Sequence, residues 1–194
     1  MNILLDLAAR PVIAHRGASG RAPENTLQAF ELGATEGADA FELDVRLSSD
    51  GEPVVIHDAT LARTTDRTGP VRARTLADLR TADAGFRFTT DGGRTFPFRD
   101  AGVRIPTLGE VLRTFPGMPM LIEIKEPEAQ AAVRRLLVAE GATGRCVLAS
   151  EHHEALQIFM EPPFARAASG AEISALYRAV LLRRPPPHVP YRLL

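Results

Sequence analysis

Short apolar runs alternate along the chain with segments whose apolar residues recur every three or four positions. This alternation predicts strands joined by helices, and therefore an α/β fold built on a parallel sheet. The predicted strands are residues 11–17, 38–45, 53–58, 118–125, 146–150 and 164–169. The predicted helices are residues 23–36, 107–115, 127–140, 152–160 and 171–182. A proline-stiffened extended tail, RRPPPHVPYRLL, follows the last helix.

Two stretches depart from this alternation. Residues 59–105 are rich in Arg, Thr and Gly and only weakly periodic, which indicates an excursion from the core with a short helix near residues 76–80. The second and third strands are joined by RLSSDGE, and its Ser-Ser-Asp-Gly segment is typical of an antiparallel hairpin. A helix-free parallel crossover is also sterically possible there, so the sequence leaves both connections open.

Composition narrows the class of protein. The 194 residues are 45% hydrophobic and carry a net charge of −1, which fits one globular domain and gives no reason to expect nucleic acid as a partner. No run of residues is apolar enough to predict stable membrane insertion, and the N-terminus makes a poor signal peptide. The single cysteine, Cys146, fits a reducing compartment. We therefore expect a cytoplasmic protein.

Ionisable side chains lie at the ends of four predicted strands. Because the carboxyl ends of parallel strands meet at one rim of an α/β fold, these groups are expected to converge there. Alternation along a strand also places the two carboxylates of Glu-x-Asp on one face, and likewise the glutamate and lysine of Glu-x-Lys. The converging residues are His15, Arg16, Glu42, Asp44, His57, Glu123 and Lys125.

The crowded carboxylates predict a metal site. Glu42, Asp44 and Glu123 would repel one another strongly if they were buried together without a cation. Oxygen ligands suit a hard divalent cation, so we expect one Mg²⁺ or Ca²⁺ rather than zinc, which prefers cysteine and histidine.

The remaining rim residues point to phosphate chemistry. His15 and His57 have the side chain best suited to general acid and base catalysis near neutral pH. Arg16 and Lys125 could bind an anionic substrate, most simply a phosphate, and Lys125 is the only lysine among 23 basic residues. A metal with basic groups and an acid/base pair indicates phosphoryl transfer or phosphodiester cleavage.

The motifs resemble a known family. The stretch VIAHRGASGRAPENTLQAFELGATEGADAFELDVRLSSDGEPVVIHDATLARTT is similar to the opening half of a glycerophosphodiester phosphodiesterase domain. The matching pieces are HRG, PENT, the ELD of FELDV, DG-x-PVV-x-HD, LxRTT, DAG, IPTLGEVL and the Glu-x-Lys of LIEIKEP. Together they span residues 12–125 in the order in which the family has them.

This resemblance implies a TIM-type (β/α)₈ barrel in which residues 59–105 are an inserted segment. It implies hydrolysis of glycerophosphodiesters, such as glycerophosphocholine, to glycerol 3-phosphate and an alcohol. In PENT, Asn25 is expected either to brace the rim or to cap the following helix. The implied roles are metal ligands Glu42, Asp44 and Glu123, acid/base residues His15 and His57 with His15 as the initial base, and phosphate contacts Arg16 and Lys125.

The chain also departs from the family pattern. Family barrels have eight strands, whereas about six β/α units are visible here, and the closing Trp-Thr-x-Asn-like strand is absent. We therefore expect residues 1–194 to form a single barrel domain that lacks strands seven and eight, with open edges that could self-associate. Two alternative functions remain: a phospholipid head-group phosphodiesterase of the sphingomyelinase D type, and an inactive truncated barrel that only binds phosphodiesters. The insert favours the small soluble substrate.

Overall fold

A six-stranded sheet forms the centre of the fold in a computed structural model that describes residues 2–185. Most of the tail predicted to be proline-stiffened, residues 186–194, lies outside the described part. Five strands run parallel in the order β1-β2-β4-β5-β6, and β3 pairs with β2 outside this order. The strands are β1 (Ile13–His15), β2 (Ala40–Leu47), β3 (Pro53–Val55), β4 (Met120–Ile124), β5 (Cys146–Ala149) and β6 (Ala165–Arg166). Strands are found at all six predicted positions: β2 keeps its predicted length but is shifted by two residues towards the C-terminus, and the other five are shorter than predicted.

The predicted helices are also present, and their starts follow capping chemistry. The first begins four residues later than predicted, because the Thr26 side chain accepts a hydrogen bond from Ala29 N and caps it. Thr107 and Glu110 form the expected capping box. The helix predicted at residues 152–160 is a 3₁₀ helix, His153–Phe159. The α-helices are α1 (Leu27–Thr35), α2 (Leu76–Leu79), α3 (Leu108–Thr114), α4 (Gln130–Ala139) and α5 (Gly170–Leu181).

The third strand runs antiparallel to β2, which decides the connection that the sequence left open. A tight turn follows β2: Gly51 N donates to Ser48 O at 3.1 Å, and Gly51 has a φ of +86°. Too few residues lie between the two strands to run back along the sheet, so the chain folds directly onto β2. Because β3 is antiparallel, it does not begin a β/α unit. Residues 2–185 therefore contain five parallel strands, where about six β/α units were expected.

The two faces of the sheet differ in what covers them. One face packs against the helices in a large apolar cluster that includes Phe30, Phe41 and Ile122. A smaller cluster joins Leu4, from a 3₁₀ turn near the N-terminus, to Ala40 and Val147 of the sheet. Buried apolar surface of this kind contributes most of the free energy that holds such a domain together.

The segment predicted as an excursion forms a core of its own. The apolar side chains of residues 59–105 pack with Val54 of β3 and with Ile56, which directly follows β3. This cluster is separate from the one beneath the helices. The DAG motif anchors this segment, because the Asp83 carboxylate accepts hydrogen bonds from Gly85 N at 2.8 Å and Asp100 N at 2.7 Å. Along residues 2–185 the structure contains no helix with the length and apolar character needed to cross a membrane.

Candidate active site

Strand register brings the predicted site residues together. His15 of β1 lies opposite Glu42 of β2, and Asp44 of β2 lies opposite Glu123 of β4. Lys125 directly follows β4, and its backbone N–H donates to Val45 O at 3.0 Å. Because β1, β2 and β4 are neighbours in the sheet, the ionisable side chains at their carboxyl ends share one rim.

Three carboxylates meet at this rim. One oxygen from each of Glu42, Asp44 and Glu123 can be chosen so that all three lie within 4.8 Å of one another. The Glu42 side chain is 12% exposed and the Asp44 side chain 1% exposed. Burial, followed by the nearby charges of Asp44 and Glu123, raises the pKa of Glu42 to about 7.

This donor set fits a divalent cation. Asp44 Oδ1 is buried and lies 2.9 Å from the Lys125 ammonium, and a carboxylate oxygen with one such partner keeps a second lone pair for a ligand. Three carboxylates with only oxygen donors are the ligands that Mg²⁺ and Ca²⁺ prefer. A cation at this position would offset both causes that raise the pKa of Glu42, which are first its burial and then the negative charges of Asp44 and Glu123.

Lys125 is directed at the carboxylates. Its Nζ lies 2.9 Å from Asp44 Oδ1 and 2.8 Å from Glu123 Oε1, and its side chain is 13% exposed. Burial lowers the pKa of Lys125, but the contacts with Glu123 and Asp44 outweigh it, and the pKa is raised. An ammonium group has three N–H donors, so one remains after these two contacts.

Arg16 contributes both its backbone and its side chain to the site. Its backbone N–H donates to Glu42 O at 2.9 Å and to Glu42 Oε2 at 3.2 Å. Its guanidinium lies 3.1 Å from Asp44 Oδ2 through Nε and donates to Glu24 Oε1 at 3.0 Å through Nη1. The residue has a φ of +56°, a conformation that non-glycine residues adopt at a cost and that is common at functional sites.

The glycine of the HRG motif is required by the same turn. Gly17 has a φ of +77°, and a Cβ at this position would lie 2.6 Å from the backbone carbon of Ala29 in α1. Gly17→Ala should therefore lower the free energy of unfolding by about 2–4 kcal/mol. Thermal unfolding should show a fall in Tm of about 5–15 °C.

Gly20 provides the matched control for Gly17. It lies in the same loop, without a positive φ, and a Cβ there would meet nothing within 4 Å. Gly20→Ala should leave the Tm nearly unchanged. Equal effects of the two substitutions would contradict the steric explanation.

The two histidines reach the rim by different routes. His15 ends β1, is 66% exposed, and its Nε2 lies 3.7 Å from Glu42 Oε2. His57 was placed at the rim on the reasoning that it ends a parallel strand, which is wrong, because β3 is antiparallel. His57 instead reaches the rim because the hairpin of β2 and β3 brings residues 56–57 back alongside the end of β2. Ile56 N donates to Asp44 O at 3.0 Å, and Arg46 Nε donates to His57 O at 2.8 Å.

Asn25 braces the rim rather than capping a helix. Its side-chain Nδ2 donates to Asp44 Oδ2 at 2.8 Å, and its backbone N–H donates to Arg16 O at 2.9 Å. The cap of α1 is Thr26. Of the two roles that the sequence left open for Asn25, the geometry selects the first.

The sequence of residues 15–182 matches the Glycerophosphoryl diester phosphodiesterase family. The chain belongs to that family. A glycerophosphodiester phosphodiesterase from Caldanaerobacter subterraneus is 46% identical over 114 residues, covering 59% of this chain and 44% of its own length. An uncharacterised protein from Mycobacterium tuberculosis is 36% identical over 143 residues, covering 72% of this chain and 48% of its own length. The chain thus spans about half the length of these curated relatives.

Solved structures of the family have the same fold. The glycerophosphoryl diester phosphodiesterase domain of a Mycobacterium tuberculosis protein superposes with a TM-score of 0.80 at 30% identity, covering 88% of this chain and 64% of that domain. An Oleispira antarctica phosphodiesterase, solved in complex with the product sn-glycerol-3-phosphate, gives a TM-score of 0.73 at 33% identity, covering 90% of this chain and 72% of that structure. The sheet described here corresponds to part of a TIM-type barrel.

Three charged residues of the family motifs had no role in the sequence interpretation. Glu24 in PENT, Asp58 in HD and Arg63 in LxRTT form ion pairs with one another beside the rim. The motif matches themselves were the available signal, since each of these residues lies inside one. Glu24 and Arg63 are 39 residues apart, so no local pattern could pair them.

Proposed function

We propose that this chain hydrolyses glycerophosphodiesters to glycerol 3-phosphate and an alcohol. The observation that carries the proposal is the set of three carboxylates, Glu42, Asp44 and Glu123, gathered within 4.8 Å beside two cationic side chains. Membership of the family supports the reaction class. The glycerol 3-phosphate bound to the Oleispira antarctica relative supports the product.

In this proposal the three carboxylates hold one divalent cation, Mg²⁺ or Ca²⁺. A cation there would stabilise negative charge on the phosphate oxygens. Lys125 offers its remaining N–H donor to a phosphate oxygen, and Arg16 offers the guanidinium N–H groups that Asp44 and Glu24 leave free. The fixed positive charges next to the carboxylates would orient the phosphodiester between the two histidines.

The two histidines move the protons in the proposed reaction. The His15 side chain is 66% exposed and the His57 side chain 33%, and we assign His15 as the base that takes the proton from the attacking water molecule. His57 then donates a proton to the oxygen of the departing alcohol as the bond from phosphorus to that oxygen breaks. This division of roles is the usual one for general acid and base catalysis of ester cleavage.

The test is release of glycerol 3-phosphate from glycerophosphocholine by residues 1–194. Release should require added Mg²⁺ or Ca²⁺, stop with EDTA, and be abolished by Glu42→Ala. Sphingomyelin offered in parallel separates the alternatives, because cleavage of the lipid alone would reject the soluble substrate. A folded chain that binds glycerophosphocholine without product release would instead favour the binding-only alternative.

Two further expectations from the sequence stay predictions. One is a cytoplasmic location. The other is self-association through β1 and β6, which lie at the two edges of the described sheet. Sedimentation of the purified chain would reveal such association as a mass above 21.0 kDa.

A further inference from the structure

A row of alternating charges joins His57 to the carboxylate cluster through the segment that follows β3. Each member contacts the next, with separations of 2.7, 2.7, 2.7, 3.0 and 3.1 Å. The row joins side chains from three stretches of the chain, which are residues 16–24, residue 44 of β2 and residues 57–63. Its members are, in order, His57, Asp58, Arg63, Glu24, Arg16 and Asp44.

Arg63 is the centre of this row. Its guanidinium donates to both oxygens of Asp58, from Nε at 2.7 Å and from Nη2 at 3.0 Å. It also donates to both oxygens of Glu24, from Nη1 and Nη2, each at 2.7 Å. Two bidentate pairs on one planar group fix its orientation, which a lysine could not reproduce. Hydrogen bonds to Glu24 and then Asp58 raise the pKa of Arg63 further.

Asp58 connects the fixed guanidinium of Arg63 to the imidazole of His57. The hydrogen bond from Arg63 holds the pKa of Asp58 at about 2, so the carboxylate is ionised near neutral pH. An ionised carboxylate only accepts hydrogen bonds, and His57 Nδ1 lies 2.7 Å from Asp58 Oδ1. Nδ1 must therefore carry a proton, which leaves Nε2 as the nitrogen that exchanges protons with a substrate.

We propose that Arg63 is a positioning residue for His57. Arg63 holds Asp58 against the imidazole of His57. Through Glu24 it also fixes the Asp58–His57 pair relative to Arg16 and the carboxylate rim. The proposal rests on the proposed function for its catalytic consequence, but the orientation of His57 follows from the contacts alone. Arg63 does not need to touch the substrate to act in this way.

Steady-state kinetics with two leaving groups test the catalytic part. With glycerophosphocholine, Arg63→Ala should lower kcat about 10–100-fold with little change in KM, because a mispositioned acid protonates the alcohol poorly. With the 4-nitrophenyl diester of glycerol phosphate, whose leaving group needs no proton, the loss should stay within about threefold. Added guanidinium ion should restore part of the lost kcat, whereas ethylammonium should not.

Arg72→Ala is the matched control. Arg72 forms one exposed ion pair, with Glu128 at 3.0 Å, and this pair includes no member of the row, so its loss should leave both substrates unaffected. An equal loss on both substrates in Arg63→Ala, without rescue by guanidinium, would overturn the positioning role. So would a kcat within twofold of the parent protein on glycerophosphocholine.

A spectroscopic measurement separates this proposal from the proposed function. ¹⁵N NMR of the histidine rings, above the pH of imidazole titration, should show His57 with its proton on Nδ1 in the parent protein. Arg63→Ala and Asp58→Asn should shift that signal toward a tautomer mixture. If the parent protein cleaves neither diester, the proposed function fails, and the tautomer result still decides the role of Arg63. An unchanged tautomer in Arg63→Ala would refute that role.

Discussion

Glu42→Gln should remove nearly all turnover while making the metal-free protein more stable. Glutamine keeps the size of the side chain and can still accept the hydrogen bond from Arg16 N, but it removes one charged ligand from the carboxylate set. We expect metal affinity and kcat to fall by at least about 100-fold, since even residues that only support metal ligands account for 10–100-fold. Calorimetric titration with Mg²⁺ or Ca²⁺ and product release would measure the two losses.

The gain in stability has a defined pH dependence. In the metal-free protein the pKa of Glu42 is about 7, against an ordinary value of 4.5. Between these values the folded state holds a proton that the unfolded state has lost, so the free energy of unfolding falls as pH rises through this window. The glutamine variant lacks this fall, and at pH 8 in EDTA it should be more stable by roughly 1–3 kcal/mol.

Glu31 offers a control for this experiment. It is an exposed glutamate on α1, and its recorded hydrogen bond involves only its backbone oxygen. Glu31→Gln should alter neither activity nor the pH dependence of stability. A Glu42→Gln protein that is less stable than the parent in EDTA at pH 8 would contradict this prediction. It would show that burying the ionised Glu42 beside Asp44 and Glu123 does not destabilise the metal-free protein.

Lys125→Arg should lose most activity in a protein that remains folded. The Lys125 ammonium fits between Asp44 and Glu123 at 2.9 and 2.8 Å in a mostly buried space. A guanidinium keeps the charge but is planar and broader, so it would displace one carboxylate or the phosphate that we expect to bind there. A fall in kcat/KM of about 10–1,000-fold is the expected scale for a lost contact to developing charge.

A second substitution separates charge from shape at this position. Lys125→Met takes one cationic contact from each of Asp44 and Glu123, so it should lower the Tm as well as the activity. Lys125→Arg should keep a Tm close to that of the parent protein. Near-normal turnover in Lys125→Arg would contradict the need for a compact ammonium group.

The sequence predicts the grouping of ionisable side chains at the rim well because strand geometry is local. Side chains two residues apart in a strand share a face, and this rule alone pairs Glu42 with Asp44 and Glu123 with Lys125. Membership of adjacent parallel strands then places the two pairs side by side. The capping box at Thr107 is equally local and is equally well predicted.

Features that depend on distant partners were not predictable in the same way. The direction of β3 depends on whether the turn after β2 closes on itself, and the sequence allowed two answers. The sequence also could not show that Lys125 contacts carboxylates, since the same residue suits a phosphate. Arg63 and Glu24 are 39 residues apart, and only the folded segment after β3 brings them together.

The order of strands places the carboxylate rim away from one edge of the sheet, the edge formed by β6. The rim carboxylates lie on β2 and β4, with β1 on one side, whereas within residues 2–185 β6 is joined only to β5. Local opening in proteins proceeds by cooperative units, and an edge strand of two residues belongs to the weakest of them. Because β5 lies between β6 and β4, opening of β6 would have to extend through β5 before it displaced Glu123. The three carboxylates can therefore keep their geometry while the far edge of the sheet fluctuates.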